Sequence, residues 1–161
     1  MARFDDTFEY SDDRRYRWWY ERRWDDGPAL CWVGLNPSTG DTTGQSRPTL
    51  QRVVTRAGKA GFSAVIVVNL FSWRATSPSD LKLASVEHDV VGERTDEVIV
   101  AASERAGLTL AAWGAHGSLL GRGRAVTEML HQPVCLGRTT NGQPRHPLRL
   151  ADTVRIVPYR P

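Results

Sequence analysis

Four short apolar runs punctuate the chain, and each ends in a cluster of polar, glycine and proline residues. Residues 29–35 lead into Asn36-Pro37-Ser38-Thr39, and residues 64–68 into Asn69-Leu70-Phe71-Ser72-Trp73-Arg74-Ala75-Thr76. Residues 108–112 lead into Trp113-Gly114-Ala115-His116-Gly117. Residues 133–136 lead into Gly137-Arg138-Thr139-Thr140-Asn141-Gly142-Gln143-Pro144-Arg145-His146-Pro147. Helical periodicity fills the intervals: Leu50, Val53, Val54 and Ala57 in residues 49–60, and Val98, Ala101 and Ala102 in residues 91–106. A short helix follows Ser77-Pro78-Ser79-Asp80-Leu81, and residues 118–130 form another, weakened by Gly121 and Gly123. Strands alternating with helices predict a three-layer α/β/α sandwich with a mostly parallel central sheet. All four polar tails then leave one edge of it, the edge at which open α/β sheets bind ligands.

Residues 14–24 alternate bulky aromatics with arginine and read as a further strand. The turn Asp25-Asp26-Gly27-Pro28 makes it an antiparallel partner at the start of the sheet. Its stripe of Tyr16, Trp18 and Tyr20 is expected in core and edge packing rather than as a base-stacking platform. Residues 153–157 add a last strand. Residues 1–13 are acidic and polar, unlike a secretory signal, and are expected to be loosely ordered.

A length of 161 residues sets the expectation of a single α/β domain over 1–161, large enough for a real core. No apolar stretch is long enough to cross a bilayer, so no membrane partner is expected. Cys31 and Cys135 fall within core strands, which fits small buried hydrophobes in a reducing, cytoplasmic setting. No Cys/His spacing indicates zinc, and neither a metal nor a cofactor is expected. The net charge of +3 is compatible with DNA or a nucleotide as partner. Arginines gather in the N-terminal run and near the ligand edge, at Arg74, Arg138 and Arg145.

The candidate chemistry lies in the tails. Gly34 permits a close approach at its strand end, and Pro37 fixes the chain as it turns away. Asn36 then either faces the crevice, flanked by Ser38 and Thr39, or merely satisfies the backbone of its turn. Asn69 repeats the pattern, and its carboxamide could read the edge of a nucleobase or hold a water. Arg74 and Thr76 could take an anion, as could Arg145 near Asn141. Trp113 and Gly114 offer a stacking wall, or Trp113 is plain core packing. His146 could act as a general acid or as a neutral donor to developing negative charge, and His116 shares its location.

No Ser or Cys stands in a nucleophile elbow, and the tails hold no paired carboxylates, although Asp41, Asp80, Asp89 and Asp96 lie in neighbouring loops. Two-metal phosphoryl chemistry is therefore disfavoured. Asn, His, Arg, Thr and Trp together suit a dissociative reaction in which neutral donors stabilise a leaving group and an amide places a water. Cleavage of an N-glycosidic bond is one. The alternative is a non-catalytic module holding nucleic acid or a nucleotide in the same crevice.

The motifs Gly34-Leu35-Asn36-Pro37-Ser38-Thr39, Pro48-Thr49-Leu50-Gln51-Arg52, Val68-Asn69-Leu70-Phe71 with Arg74-Ala75-Thr76-Ser77-Pro78, Ala111-Ala112-Trp113-Gly114, and Leu136-Gly137 through Gly142-Gln143-Pro144-Arg145-His146-Pro147-Leu148 occur in this order. In them the chain resembles a family of short bacterial and phage proteins, the domain of unknown function numbered sixteen forty-three. Arg47 departs from the family's usual Asp, Thr140 from a common Lys, and Arg149 from a frequent Tyr. More distantly, Gly34-Leu35-Asn36-Pro37, Asn69 and His146-Pro147 are similar in order and placement to motifs of uracil-DNA glycosylases. That likeness implies a uracil-DNA glycosylase-like fold. It also implies that Asn36 places the water, Asn69 reads the base and His146 stabilises the leaving base. An intercalating wedge would have to come from Leu148.

Overall fold

The computed structural model describes residues 3–39, 48–148, 150, 151 and 153–160. Asp41, Arg47 and Arg149, named above, lie outside the described residues. The strands are β1 (Asp5–Tyr10), β2 (Arg17–Arg23), β3 (Ala29–Gly34), β4 (Ala64–Asn69), β5 (Leu108–Ala111), β6 (Val134–Cys135) and β7 (Val157–Pro158). The helices are α1 (Pro48–Lys59), α2 (Pro78–Glu87), α3 (Thr95–Arg105) and α4 (Arg122–Thr127). One sheet takes all seven strands in the order β1-β2-β4-β3-β5-β6-β7.

The α/β class stands, but the expected mostly parallel sheet is a mixed one. Pairings β3–β4, β3–β5 and β5–β6 are parallel, whereas β1–β2, β2–β4 and β6–β7 are antiparallel. The difference arises at both edges. Asp5–Tyr10, within the segment expected to be loosely ordered, pairs with β2 from Asp5↔Arg23 to Tyr10↔Arg17. Its acidic residues meet the arginines of β2, and Phe8 stacks on Tyr20 at 4.6 Å, so a polar segment gains both charge pairing and an aromatic contact. At the other edge the last strand is Val157–Pro158, later and shorter than residues 153–157.

Every residue of β3 and β4 is buried, as befits unbroken apolar strands covered on both faces. The period of two divides them cleanly. Cys31, Val33, Ile66 and Val68 face a cluster with Leu81 of α2, Val98, Ile99 and Ala102 of α3, and Val126 of α4. Leu30, Trp32, Val65 and Val67 face the opposite cluster, with Leu50, Val53 and Ala57 of α1. Both cysteines are buried free thiols, and burial pushes the Cys31 thiol up to about 12, so they behave as core side chains.

Local chemistry sets the helix ends. Ser77 caps α2 by accepting the Asp80 N–H at 3.1 Å, with Pro78 opening the helix. Asp96 and Glu97 open α3 and Arg105 closes it, matching the helix dipole. The helix expected over residues 118–130 contracts to α4, preceded by a 3-10 segment, Ala115–Gly121, that is broken at Leu119 and Leu120. Leu120 and Gly121 both take positive φ there, which no α-helix accommodates.

The chain passes from β3 over one face to β4, then over the other face to β5 on the far side of β3. The tails after β3 and β5 therefore diverge, and a crevice opens between them.

Candidate functional site

A cavity of about 440 Å³ starts at this crevice. It runs along the face shared with α1, bounded by the β1–β2 hairpin, and its volume is typical of small-molecule sites.

Asn36 stands one turn beyond β3. Its Nδ2 donates to the carbonyls of Pro37 at 2.9 Å and Ala75 at 3.0 Å, so both donor hydrogens are spent on backbone. Those two bonds fix the orientation of the amide and leave Oδ1 as its acceptor for anything else. The Ala75 bond also clips the β3 tail to the β4 tail, as does the Ala75 N–H donated to Pro37 O at 3.0 Å.

Asn69 ends β4 beside Gly34, which pairs with it in register. It is 5% exposed, and its carboxamide has no side-chain hydrogen bond among the described residues. A Cβ on Gly34 would lie 2.8 Å from Asn69 Oδ1, so the glycine opens the space that the carboxamide occupies. The same position is 3.9 Å from Trp32 Nε1. That indole N–H is buried with no hydrogen-bond partner among the described residues. An unmet buried donor of this kind costs about 1–3 kcal/mol, and the Asn69 carboxamide adjoins it on the same cavity floor.

The β6 tail is turned back by a local hairpin. Gly137 takes φ +96°, Thr139 N–H donates to Gln143 O at 2.7 Å, and Arg145 N–H donates to Gly137 O at 2.9 Å. Gly114, at φ +78°, then donates its N–H to Pro144 O at 2.9 Å, which seats His146 against Gly114. His146 Nδ1 accepts the Leu148 N–H at 3.1 Å, so a neutral ring carries its proton on Nε2. The residue keeps solvent contact, yet desolvation by its surroundings holds the imidazole below its ordinary pKa.

Asn36, Pro37, Ser38, Asn69, Trp113, Gly114, His116 and His146 thus border one cavity. Thr39, Arg74, Thr76, Asn141 and Arg145 do not line it. Thr39 and Thr76 join hydroxyls at 2.8 Å, and Arg74 donates to the carbonyls of Arg14 at 2.9 Å and Thr39 at 3.2 Å. Asn141 donates to Ala115 O at 3.0 Å and accepts from the Thr139 hydroxyl. These residues hold the tails together around the site. Trp113 is core rather than a stacking wall: it is 1% exposed, its Nε1 donates to Gln143 Oε1 at 2.8 Å, and its ring fills the space over Gly117.

Sequence reasoning missed the hairpin's share of the site. Asp6, Phe8, Arg17, Tyr20 and Arg22 all border the cavity. Arg22 grips Asp6 with Nε at 2.9 Å and Nη2 at 2.8 Å, a bidentate pair. Burial, then the nearby Asp6 charge, pushes the Tyr20 hydroxyl up to about 12. The arginine guanidinium of Arg17 lies 5.3 Å from the Tyr20 ring centroid. The alternation of aromatic and arginine in residues 14–24 was the available signal, but it reads equally well as edge packing. Among the described residues no group of three His, Cys, Asp or Glu comes together as a metal site would require, and no helix is long and apolar enough to cross a membrane.

Fold and site together define an α/β protein with a cavity at the carboxyl ends of its parallel strands. The chain belongs to the DUF1643 family, described as proteins of unknown function, whose sequence profile matches residues 17–148. Neither a curated protein nor a solved structure matches it.

Proposed function

We propose that the cavity binds a nucleobase and that the protein is a glycosylase-like hydrolase of an N-glycosidic bond, working without a metal. The observation that carries this reading is the cavity floor. There the Trp32 indole N–H is buried with no hydrogen-bond partner among the described residues, and the Asn69 carboxamide makes no side-chain hydrogen bond among them, beside a histidine whose neutral form donates from Nε2. A heterocycle with mixed donors and acceptors would satisfy the first two groups. The third would stabilise negative charge on a departing base without first losing a proton. Asn36 Oδ1, its amide nitrogen already anchored, is suited to accept a hydrogen bond from an attacking water.

The likeness to uracil-DNA glycosylases supports the reading, since Gly34, Asn36, Asn69 and His146 from its three motifs all border this cavity. The parallel quartet β4-β3-β5-β6, with helices on both faces, is the part of the fold to which that likeness would apply. Leu148 is exposed, as an intercalating wedge would need to be.

One observation favours the non-catalytic alternative. Asn36 spends both donor hydrogens on its own loop, which is what a purely structural turn residue does. Base release decides between the two. The wild-type protein is incubated with modified-base oligonucleotides and with free nucleotides, and liberated base is measured by chromatography. Release that disappears in Asn36→Ala, with the fold intact by circular dichroism, is the expected result. Binding without release from any substrate leaves the binding module.

A further inference from the structure

The cavity has two chemically different parts, a polar end at the strand tails and an apolar bed beside it. We infer that the nucleobase it takes carries an apolar substituent, which lies on a row of aromatic and aliphatic side chains crossing four strands. This rests on the reading of the cavity as a nucleobase site.

Register places Phe8 opposite Tyr20, Tyr20 opposite Val67 and Val67 opposite Trp32, so these residues form one row across β1, β2, β4 and β3. All of them border the cavity, and Leu50 of α1 borders it with them. The Phe8 and Tyr20 rings lie stacked, 12° from parallel. Asn69 and Gly34 pair at the next same-face position toward the tails, about 7 Å along the strands. One position the other way, Leu30 and Val65 pair within the cluster that Val53 and Ala57 of α1 cover, and they do not border the cavity. On the hairpin side the bed ends at the Asp6–Arg22 pair. Val67, Tyr20 and Trp32 accordingly keep a small accessible area, whereas Val65 has none.

The tails fix which way the base lies. Its glycosidic bond has to sit by Asn36 and His146, so the ring edge farthest from the sugar points past Asn69 toward the row. A substituent the size of one small ring covers the distance between them. Sugar hydroxyls would not suit the row, whose side chains offer polar atoms only at the Tyr20 hydroxyl and the Trp32 N–H. An apolar group laid there removes the row and itself from water, a gain of about fourfold in affinity for each buried CH2. An unsubstituted base held at Asn69 leaves the bed uncovered inside a cavity of about 440 Å³.

Isothermal titration of the wild-type protein tests this with adenosine, guanosine and uridine and with their benzyl derivatives. The benzyl group is carried on the exocyclic nitrogen of adenosine, the exocyclic oxygen of guanosine and ring carbon five of uridine. At least one derivative is expected to bind about tenfold or more tightly than its parent. Val67→Thr puts a hydroxyl in the middle of the row at nearly constant volume, and should cut that preference by about threefold or more. Benzyl derivatives that bind no better than their parents overturn the substituent and leave the base site standing. A preference that Val67→Thr leaves unchanged overturns the row as its seat. If none of these nucleosides binds, the nucleobase reading itself fails, and this inference with it. Should Val67→Thr fail to fold, Phe8→Ala on the edge strand reads the same row in its place.

Discussion

Asn69 and Gly34 share one volume: a methyl group on Gly34 would come within 2.8 Å of Asn69 Oδ1. The two residues are register partners at the ends of adjacent parallel strands, so neither can move away without disturbing the sheet. The absence of one side chain thus determines where the other's amide sits.

Gly34→Ala is therefore expected to displace the Asn69 carboxamide. The backbone of Gly34 needs no left-handed conformation, so the penalty comes from crowding alone, about 1–3 kcal/mol. Chemical denaturation measures that loss. Titration with the best-binding nucleoside or nucleotide should show affinity falling in parallel, as in Asn69→Ala. An alanine variant with wild-type affinity would mean that Asn69 does not contact ligand.

His146 predicts a pH dependence. Desolvation lowers its pKa in the folded protein relative to the unfolded chain, where it titrates near its ordinary 6.5. Above that value both states are neutral, and His146 contributes nothing pH-dependent. As pH falls below it, the unfolded chain takes up a proton that the folded protein resists, so stability declines until the lowered folded pKa is passed. Thermal melts between pH 7.5 and 5 should show wild type losing more stability than His146→Gln. Identical slopes would contradict the desolvated imidazole. Any activity that uses the neutral ring as donor should persist through pH 6.5.

The Asp6–Arg22 pair predicts an asymmetry between single and double replacement. Asp6→Ala leaves a nearly buried guanidinium without its carboxylate, at a cost of about 3 kcal/mol, the low end for buried pairs because Asp6 keeps some solvent contact. Replacing both partners by apolar residues, as in Asp6→Leu with Arg22→Met, should recover most of that loss. Urea denaturation of the two single variants and the double variant gives the coupling directly.

The parallel strands were legible because their signal is local. Residues 29–34, 64–69 and 108–111 are short, predominantly apolar runs that end in or lead into Gly34, Asn69 and Trp113-Gly114, and the structure places a strand at each. Helix α1 was equally legible, with Leu50, Val53 and Ala57 on one stripe. The N-terminal hairpin was not. Asp5–Tyr10 is polar, and it becomes a strand only because β2 presents arginines and Tyr20 for it to pair with. The arginines were ambiguous for a similar reason. Arg74 and Arg17 are both arginines beside aromatics in the sequence, and only the tertiary path puts one of them in a cavity wall.

The sequence by itself determined which residues would gather at one sheet edge, because strand direction follows from strand–helix alternation and each tail's composition is covalent. Asn36, Asn69, Gly114 and His146 meet for that reason. Only the tertiary structure decided what each side chain does there. Trp113 turned into the core over Gly117, Asn36 spent its amide on the β4 tail, and Asp6 and Arg17 entered a site no nearby motif announces. Those outcomes depend on contacts between residues far apart in the chain, whose free energies no local pattern encodes.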